Sequence, residues 1–239
     1  MESPGTSNGD VRRWLFPRWT NQVPTIALGF VLMTVTAAAG AITYYGTDKH
    51  LSVGYQPTQP VDYSHKLHAG DMGMDCRYCH SAVEKSAHAN VPATQTCMNC
   101  HWTVRTDSAK LLPVRESWAT GKPIEWVKVH RLPDYVYFNH SAHLNANVGC
   151  ASCHGRVDQM VKVIQTQPLS MGWCLDCHRN PGEHVRPAGV SVTQMDWKPA
   201  KTDFQPLGQG PNDVPVAQAP VTPAGRKVNP PLHCSGCHR

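Results

Sequence analysis

The chain has 239 residues, 41% of them hydrophobic and 8% aromatic, with a formal charge of +5 when histidine is neutral. No basic stripe with interleaved aromatics argues for nucleic acid, and no glycine-rich pattern argues for a nucleotide phosphate. The length allows one or two domains.

Residues 1–18 are polar and carry Arg12, Arg13 and Arg18; they read as a cytoplasmic tail. Residues 19–47 read as a transmembrane anchor. No charged residue occurs between Arg18 and Asp48, and the stretch from Val23 to Tyr45 exceeds the ~20 residues a spanning helix needs. Its glycines, alanines and threonines suit close packing against other membrane helices. Trp19 before it and Tyr44 and Tyr45 after it stand at the levels preferred by interfacial aromatics. The arginines precede the stretch, so the positive-inside rule places the N-terminus in the cytoplasm and the rest on the periplasmic side of the inner membrane, as a single-pass protein. Ala37–Ala39 resembles a cleavage site, but the apolar run is longer than the roughly 7–15 residues of a signal core, which favours an uncleaved anchor.

Residues 48–185 contain an internal repeat. Tyr63-Ser-His65-Lys-Leu-His68 precedes Cys76-Arg-Tyr-Cys79-His80 and then Cys97-Met-Asn-Cys100-His101. Phe138-Asn-His140-Ser-Ala-His143 precedes Cys150-Ala-Ser-Cys153-His154 and then Cys174-Leu-Asp-Cys177-His178. In each unit an aromatic and an HxxH pair lie about ten positions before the first cysteine. Residues 186–239 differ. Proline recurs through them with glycine and glutamine, which reads as an extended, irregular strap. The strap delivers a fifth pentapeptide, Cys234-Ser-Gly-Cys237-His238.

All 10 cysteines of the chain lie in these five Cys-x-x-Cys-His copies. The pentapeptide reads as c-type haem attachment. Two thiols on one tight turn form thioethers to the two vinyl groups of one porphyrin, and the following imidazole meets the iron. Paired CxxC motifs also build zinc sites, but zinc gives no reason for His after every second Cys. Disulfide frameworks do not repeat one pentapeptide. The expectation is therefore five covalently bound haem c groups. Residues 48–185 become a tetrahaem region of two related di-haem units, and 186–239 a strap carrying the fifth haem. The roughly 38 residues per haem are too few for a conventional core. The expected fold is a multihaem cytochrome c, mostly irregular, with short α-helices around a haem core and one N-terminal transmembrane helix. Haem propionates would bring the holoprotein from +5 to about neutral when oxidised and about −5 when reduced, so the positive formal charge carries little weight.

His80, His101, His154, His178 and His238 are the proximal ligands on this reading. The other histidines are His50, His65, His68, His88, His130, His140, His143, His184 and His233. The HxxH pairs are the best distal candidates, since imidazoles at i and i+3 splay toward different haems. His65 and His140 would cap the first haem of their own unit, and His68 and His143 another haem. His130 is the leading candidate for the fifth distal position; His88 and the thioether of Met171 are alternatives. If every iron has two protein ligands, no site is open to substrate. The chain then reads as a relay and not as an enzyme, with no catalytic residues.

Tyr63–His68, Ala89-Asn-Val-Pro92 leading to CMNCH, Val129–His143 with CASCHG, and Met171–Arg179 together resemble the pentahaem membrane-anchored cytochrome c subunit of alternative complex III. The aromatic-x-HxxH elements also have a general likeness to class III multihaem cytochromes. The resemblance covers roughly residues 11–239 (most of the chain). It implies a quinol-oxidising respiratory or photosynthetic complex with an iron–sulfur subunit and polytopic quinol-binding subunits. Electrons would leave it to a periplasmic cytochrome or oxidase. The competing expectation is a self-sufficient multihaem quinol dehydrogenase feeding a periplasmic reductase.

Overall fold

The structure is a computed structural model, and it describes residues 17–198, 222 and 225–238. The chain divides into two compact units, Met1–Thr47 and Asp48–Arg239.

In the first unit a 3-10 turn, Arg18–Gln22, leads into α1, Val23–Tyr45. Pro24 sits in the first turn of α1, where its missing N–H costs nothing. The helix is about 35 Å long, enough for a hydrocarbon layer of about 30 Å. It is apolar all round and buries none of its residues within the protein. Three of its hydroxyls are satisfied internally: Thr34, Thr36 and Thr43 donate to the carbonyls of Phe30, Leu32 and Ala39. That is how threonine is accommodated where no water competes. α1 is the one helix among the described residues long and apolar enough to cross a membrane. Residues 1–16, with most of the expected cytoplasmic tail, lie outside the described residues.

The second unit is built of short helices and connecting loops. In order they are α2 (Asp48–Leu51), α3 (Cys76–Cys79), α4 (Thr94–His101), α5 (Leu112–Thr120), α6 (His140–Asn145), α7 (Cys150–His154) and α8 (Met171–Arg179). A π-helical turn covers Lys66–Asp71 and a 3-10 turn Cys234–Gly236. Among the described residues there is no named strand, and two isolated bridges, Val136 with His238 and Val148 with Val185, stand in for sheet. The apolar core is correspondingly small. Val61, Met98 and Val114 form its centre, with Cys97, Leu111, Ile124 and Trp126 packed around them. Among the described residues, Val83 and Val185 are the other buried hydrophobics. A unit of this length that buried its own side chains would show many more, which accords with the expected haem core.

Local sequence explains where the helices start and stop. Asp75 caps α3 by accepting from the Arg77 amide at 2.8 Å. Asn139 caps α6 by accepting from Ser141 and Ala142, and Ser170 caps α8 by accepting from Trp173. α5 begins with Pro113 and ends at Gly121, whose φ of 70° is the left-handed cap that glycine adopts without penalty. Of the expected proline-rich strap, residues 199–221 and 223–224 lie outside the described residues. Its first part returns to the helices: the Cys150 amide donates to Val192, and the Thr193 hydroxyl donates to Asp75 at 3.5 Å.

Candidate haem centres

Each pentapeptide occupies one helical turn. CRYCH spans α3 into His80, CMNCH ends α4, CASCH is α7, CLDCH lies within α8, and CSGCH begins on the 3-10 turn. A single turn brings the two cysteines to one side and leaves the next imidazole free to project. None of the ten cysteines forms a disulfide with another. Burial pushes the Cys153 thiol up to about 12 and the Cys177 thiol up to about 11.

The two HxxH segments present nearly the same ring geometry. The Tyr63 ring meets His65 edge-on at 4.8 Å and stacks on His68 at 4.4 Å. The Phe138 ring meets His140 edge-on at 4.7 Å and stacks on His143 at 4.7 Å. The preceding aromatic therefore acts as a spacer that fixes both imidazoles of the pair.

Imidazole pairs follow from that placement. His68 faces His101 with ring centres 6.2 Å apart, His140 faces His154 at 6.4 Å, and His143 faces His178 at 6.2 Å. The rings of His140 and His154 are parallel to within 7°. An iron held by one nitrogen from each ring at about 2 Å sets the ring centres about 6 Å apart. The three pairs thus have the separation that a bis-imidazole haem requires.

Hydrogen bonding fixes the tautomers. The Nδ1 of His68 donates to the Ser64 carbonyl (2.9 Å), that of His140 to Ala87 (2.8 Å) and that of His143 to Asn139 (2.8 Å). Among the proximal residues, His80 donates to Asn90 (2.6 Å), His101 to Val104 (3.0 Å) and His178 to Pro231 (2.9 Å). A carbonyl only accepts, so in all six the hydrogen is on Nδ1 and the lone pair on Nε2. This is the arrangement in which a metal-ligating histidine is held. Asn90 has φ 63°, a left-handed conformation that Asn tolerates, and it turns its carbonyl toward His80. Burial and neighbouring imidazoles push His154 down to about 3 and His65 down to about 4. Burial also lowers His130, His140 and His143. Burial thus favours the neutral form of these rings, the form that keeps a lone pair for metal.

The remaining candidates are placed differently. His65 lies close enough to His80 for the two to interact electrostatically, and its own Nδ1 is buried without a partner. His130 lies beside His154, ring centres 4.4 Å apart and nearly perpendicular. That is too close for an iron between them, so His140 and not His130 stands opposite His154. The Nε2 of His130 is buried without a partner. His88 is exposed near His140, and Met171 opens α8 with an exposed side chain. His238 is bridged to Val136, and its ring lies 5.7 Å from that of Tyr135.

Contacts link the pentapeptides in an order different from that of the chain. Asn99 of CMNCH donates to the Tyr78 hydroxyl of CRYCH at 3.1 Å. Asp75, at the start of CRYCH, accepts from the Thr193 hydroxyl, and the neighbouring Val192 carbonyl accepts from the Cys150 amide, joining CRYCH to CASCH. The Val148–Val185 bridge joins the flanks of CASCH and CLDCH. His178 of CLDCH bonds to Pro231, and Tyr137 donates to the Cys237 carbonyl of CSGCH at 2.7 Å. The contact order is second, first, third, fourth, fifth. Two contributors escaped the sequence reading. The carbonyls that orient the imidazoles leave no mark in residue type, and Arg186, buried beside Cys150, stands in a segment that reads as a strap.

No family model matches the chain. It is similar to the multiheme cytochrome c subunit of menaquinone reductase from Nitratidesulfovibrio vulgaris (strain Hildenborough), at 39% identity over 100 residues. The match covers 41% of this chain and 47% of that protein, so the chain spans about half the length of the curated relative it matches. Helical and irregular structure, one N-terminal apolar helix, five CxxCH turns and this likeness together make the fold that of a multihaem c-type cytochrome.

Proposed function

We propose that this chain is a membrane-anchored pentahaem cytochrome that relays electrons between a quinone-reactive membrane partner and a periplasmic redox partner. The observation that carries the reading is the set of three imidazole pairs at 6.2–6.4 Å, each with at least one Nδ1 anchored on a carbonyl. Covalent haem would supply one-electron chemistry, with each iron alternating between ferric and ferrous. The protein's part would be to hold the haems through its cysteine pairs and to offer two imidazoles to each iron. In this reading Cys76/Cys79, Cys97/Cys100, Cys150/Cys153, Cys174/Cys177 and Cys234/Cys237 attach the haems. His80, His101, His154, His178 and His238 are proximal ligands. His65, His68, His140 and His143 are distal ligands to the first, second, third and fourth motifs' haems. The fifth distal ligand is assigned to His130, whose buried Nε2 lacks another partner. Residues 48–185 are two related di-haem units, with the haem region on the periplasmic side of the inner membrane.

The complex is inferred to contain an iron–sulfur subunit and polytopic quinone-binding subunits. The sequence resemblance to alternative complex III favours quinol oxidation with a cytochrome or oxidase as acceptor. The relative's name, a menaquinone reductase, favours the opposite direction. The test is to purify the native complex from membranes, count haem as its pyridine derivative, record the resting electron paramagnetic resonance spectrum, and then add quinol. Five haems per chain, low-spin spectra and quinol-dependent reduction of the α band are expected for the oxidising direction. Reduction of added quinone by the pre-reduced haems indicates the reverse. Abundant high-spin ferric haem in the resting protein, or migration of the chain without partners, overturns the relay reading.

A further inference from the structure

Arg186 is the largest side chain that the described residues bury completely, at 1% exposure. Its backbone is clamped. The amide donates to the Asn147 carbonyl at 3.0 Å, and the Asn147 side chain donates to the Arg186 carbonyl at 2.6 Å. Asn147 is itself buried and takes φ 65°, which lets main chain and side chain face the same strand of backbone. The guanidinium Nη1 donates to the Ser191 carbonyl, and the Trp197 ring lies 5.1 Å away beneath the cation. Its Nε is buried without a partner, and no carboxylate forms an ion pair with it among the described residues.

The guanidinium lies directly over Gly149, where a Cβ would collide with it. Glycine immediately before Cys150 is therefore what brings a full positive charge onto the start of the CASCH turn. Residues 191 and 192 close the arrangement, since Ser191 accepts from Arg186 and Val192 accepts from the Cys150 amide. Asp196 acts on the guanidinium only at longer range than an ion pair, and a cation buried without a contacting counter-ion is costly unless the fold brings it further negative charge.

We propose that Arg186 tunes the reduction potential of the haem attached at Cys150 and Cys153, raising it by stabilising the ferrous form. The inference rests on the haem assignment above. On reduction that haem gains one electron from a neighbouring centre and its iron goes from ferric to ferrous, so its net charge becomes more negative by one. A fixed cation beside it, screened from water, favours that state. Arg186 is a positioning charge, not an iron ligand. It would make the third motif's haem, which is central in the contact order, a preferred resting place for an electron.

The test compares Arg186→Gln and Arg186→Lys with the parent in the native complex. Haem per chain and low-spin spectra are measured first, then a potentiometric titration followed by optical and paramagnetic resonance spectra. Arg186→Gln with five haems should lower one midpoint potential and leave the other four in place, while Arg186→Lys should restore most of the shift. A fully loaded Arg186→Gln protein with unchanged potentials overturns the inference, as does a loaded Arg186→Lys protein shifted as far as the Gln variant. If Arg186→Gln does not load haem, Trp197→Leu replaces it. By freeing the guanidinium toward water it should give a smaller downward shift of the same potential, and a loaded protein without that shift also overturns the inference. Absence of covalent haem at the third motif of the parent defeats the functional reading instead, so the two failures are distinguishable.

Discussion

The two HxxH units arrive at the same imidazole geometry from different backbones. The first uses a π-helical turn, Lys66–Asp71, and the second a capped α-helix, His140–Asn145. Tyr63 and Phe138 nevertheless hold their histidine pairs at centre distances within a few tenths of an ångström of one another. The aromatic ring sets the geometry, and the backbone type is secondary. The units differ more in how they are tethered and charged. His140 donates to Ala87 in the other unit, whereas the equivalent His65 nitrogen has no partner. The turn of CRYCH begins with a carboxylate, Asp75, and that of CASCH with a glycine under a buried arginine. The two turns thus begin in different electrostatic surroundings, a paired carboxylate in one and a buried guanidinium in the other.

The largest effect expected is on both units at once. Producing the chain without haem attachment should leave residues 48–239 without cooperative structure, because the protein's own buried apolar residues are so few. Loss of the helical circular dichroism beyond that of α1, and rapid proteolysis, would register this. A cooperative thermal transition in the haem-free chain would contradict it.

Next comes the tether. His140→Gln and His68→Gln each remove one imidazole of a 6 Å pair. Each should convert one low-spin ferric signal to high spin. His140→Gln should also loosen the loop around Ala87, seen as faster amide exchange near residues 86–88, while His68→Gln should leave that loop unchanged. Equal exchange behaviour in the two variants would remove the distinction between the units.

The caps should produce a smaller contrast. Asn139→Ala deletes an N-cap that accepts from two amides and should cost about 1 kcal/mol. Ser64→Ala deletes a single acceptor for the Leu67 amide and should cost about 0.5 kcal/mol. Denaturant titration of the holoprotein measures both.

The smallest effect concerns Asp75. The Arg77 side chain hydrogen-bonds its carboxylate and holds its pKa down to about 2 from an ordinary 3.8. A depressed carboxylate stabilises above its unfolded value and loses that contribution as pH falls through the folded one. The first turn should therefore loosen between about pH 4 and pH 2, and Asp75→Asn should flatten that part of the acid titration. Since Asp75 is largely solvated and paired with Arg77, the accompanying rise in the first haem's potential should be slight.

Much of the candidate site was legible in the sequence because its chemistry is local. CxxCH must fit one turn, an aromatic before HxxH must lie over both rings, and a long uncharged stretch must be a helix of spanning length. The sequence expected His140 to serve the first motif of its own unit and His143 another motif; the structure sets His140 opposite His154 and His143 opposite His178. The orienting carbonyls were not legible. Ala87, Asn90 and Pro231 act through backbone oxygens, which every residue possesses, so residue type gives no signal. The position of His130 was hidden as well, since whether it stands beside or opposite His154 depends on the packing of a loop.

By itself, the sequence determined the number of CxxCH turns, the long apolar helix and the repeat of aromatic-HxxH segments, because turn chemistry and helical periodicity act over a few residues. Only the tertiary structure decided which imidazoles face each other, the contact order in which the second motif precedes the first, and the burial of Arg186 over Gly149. Those depend on segments far apart in the chain being folded onto one another, and on backbone groups and buried charge whose partners are set by that folding.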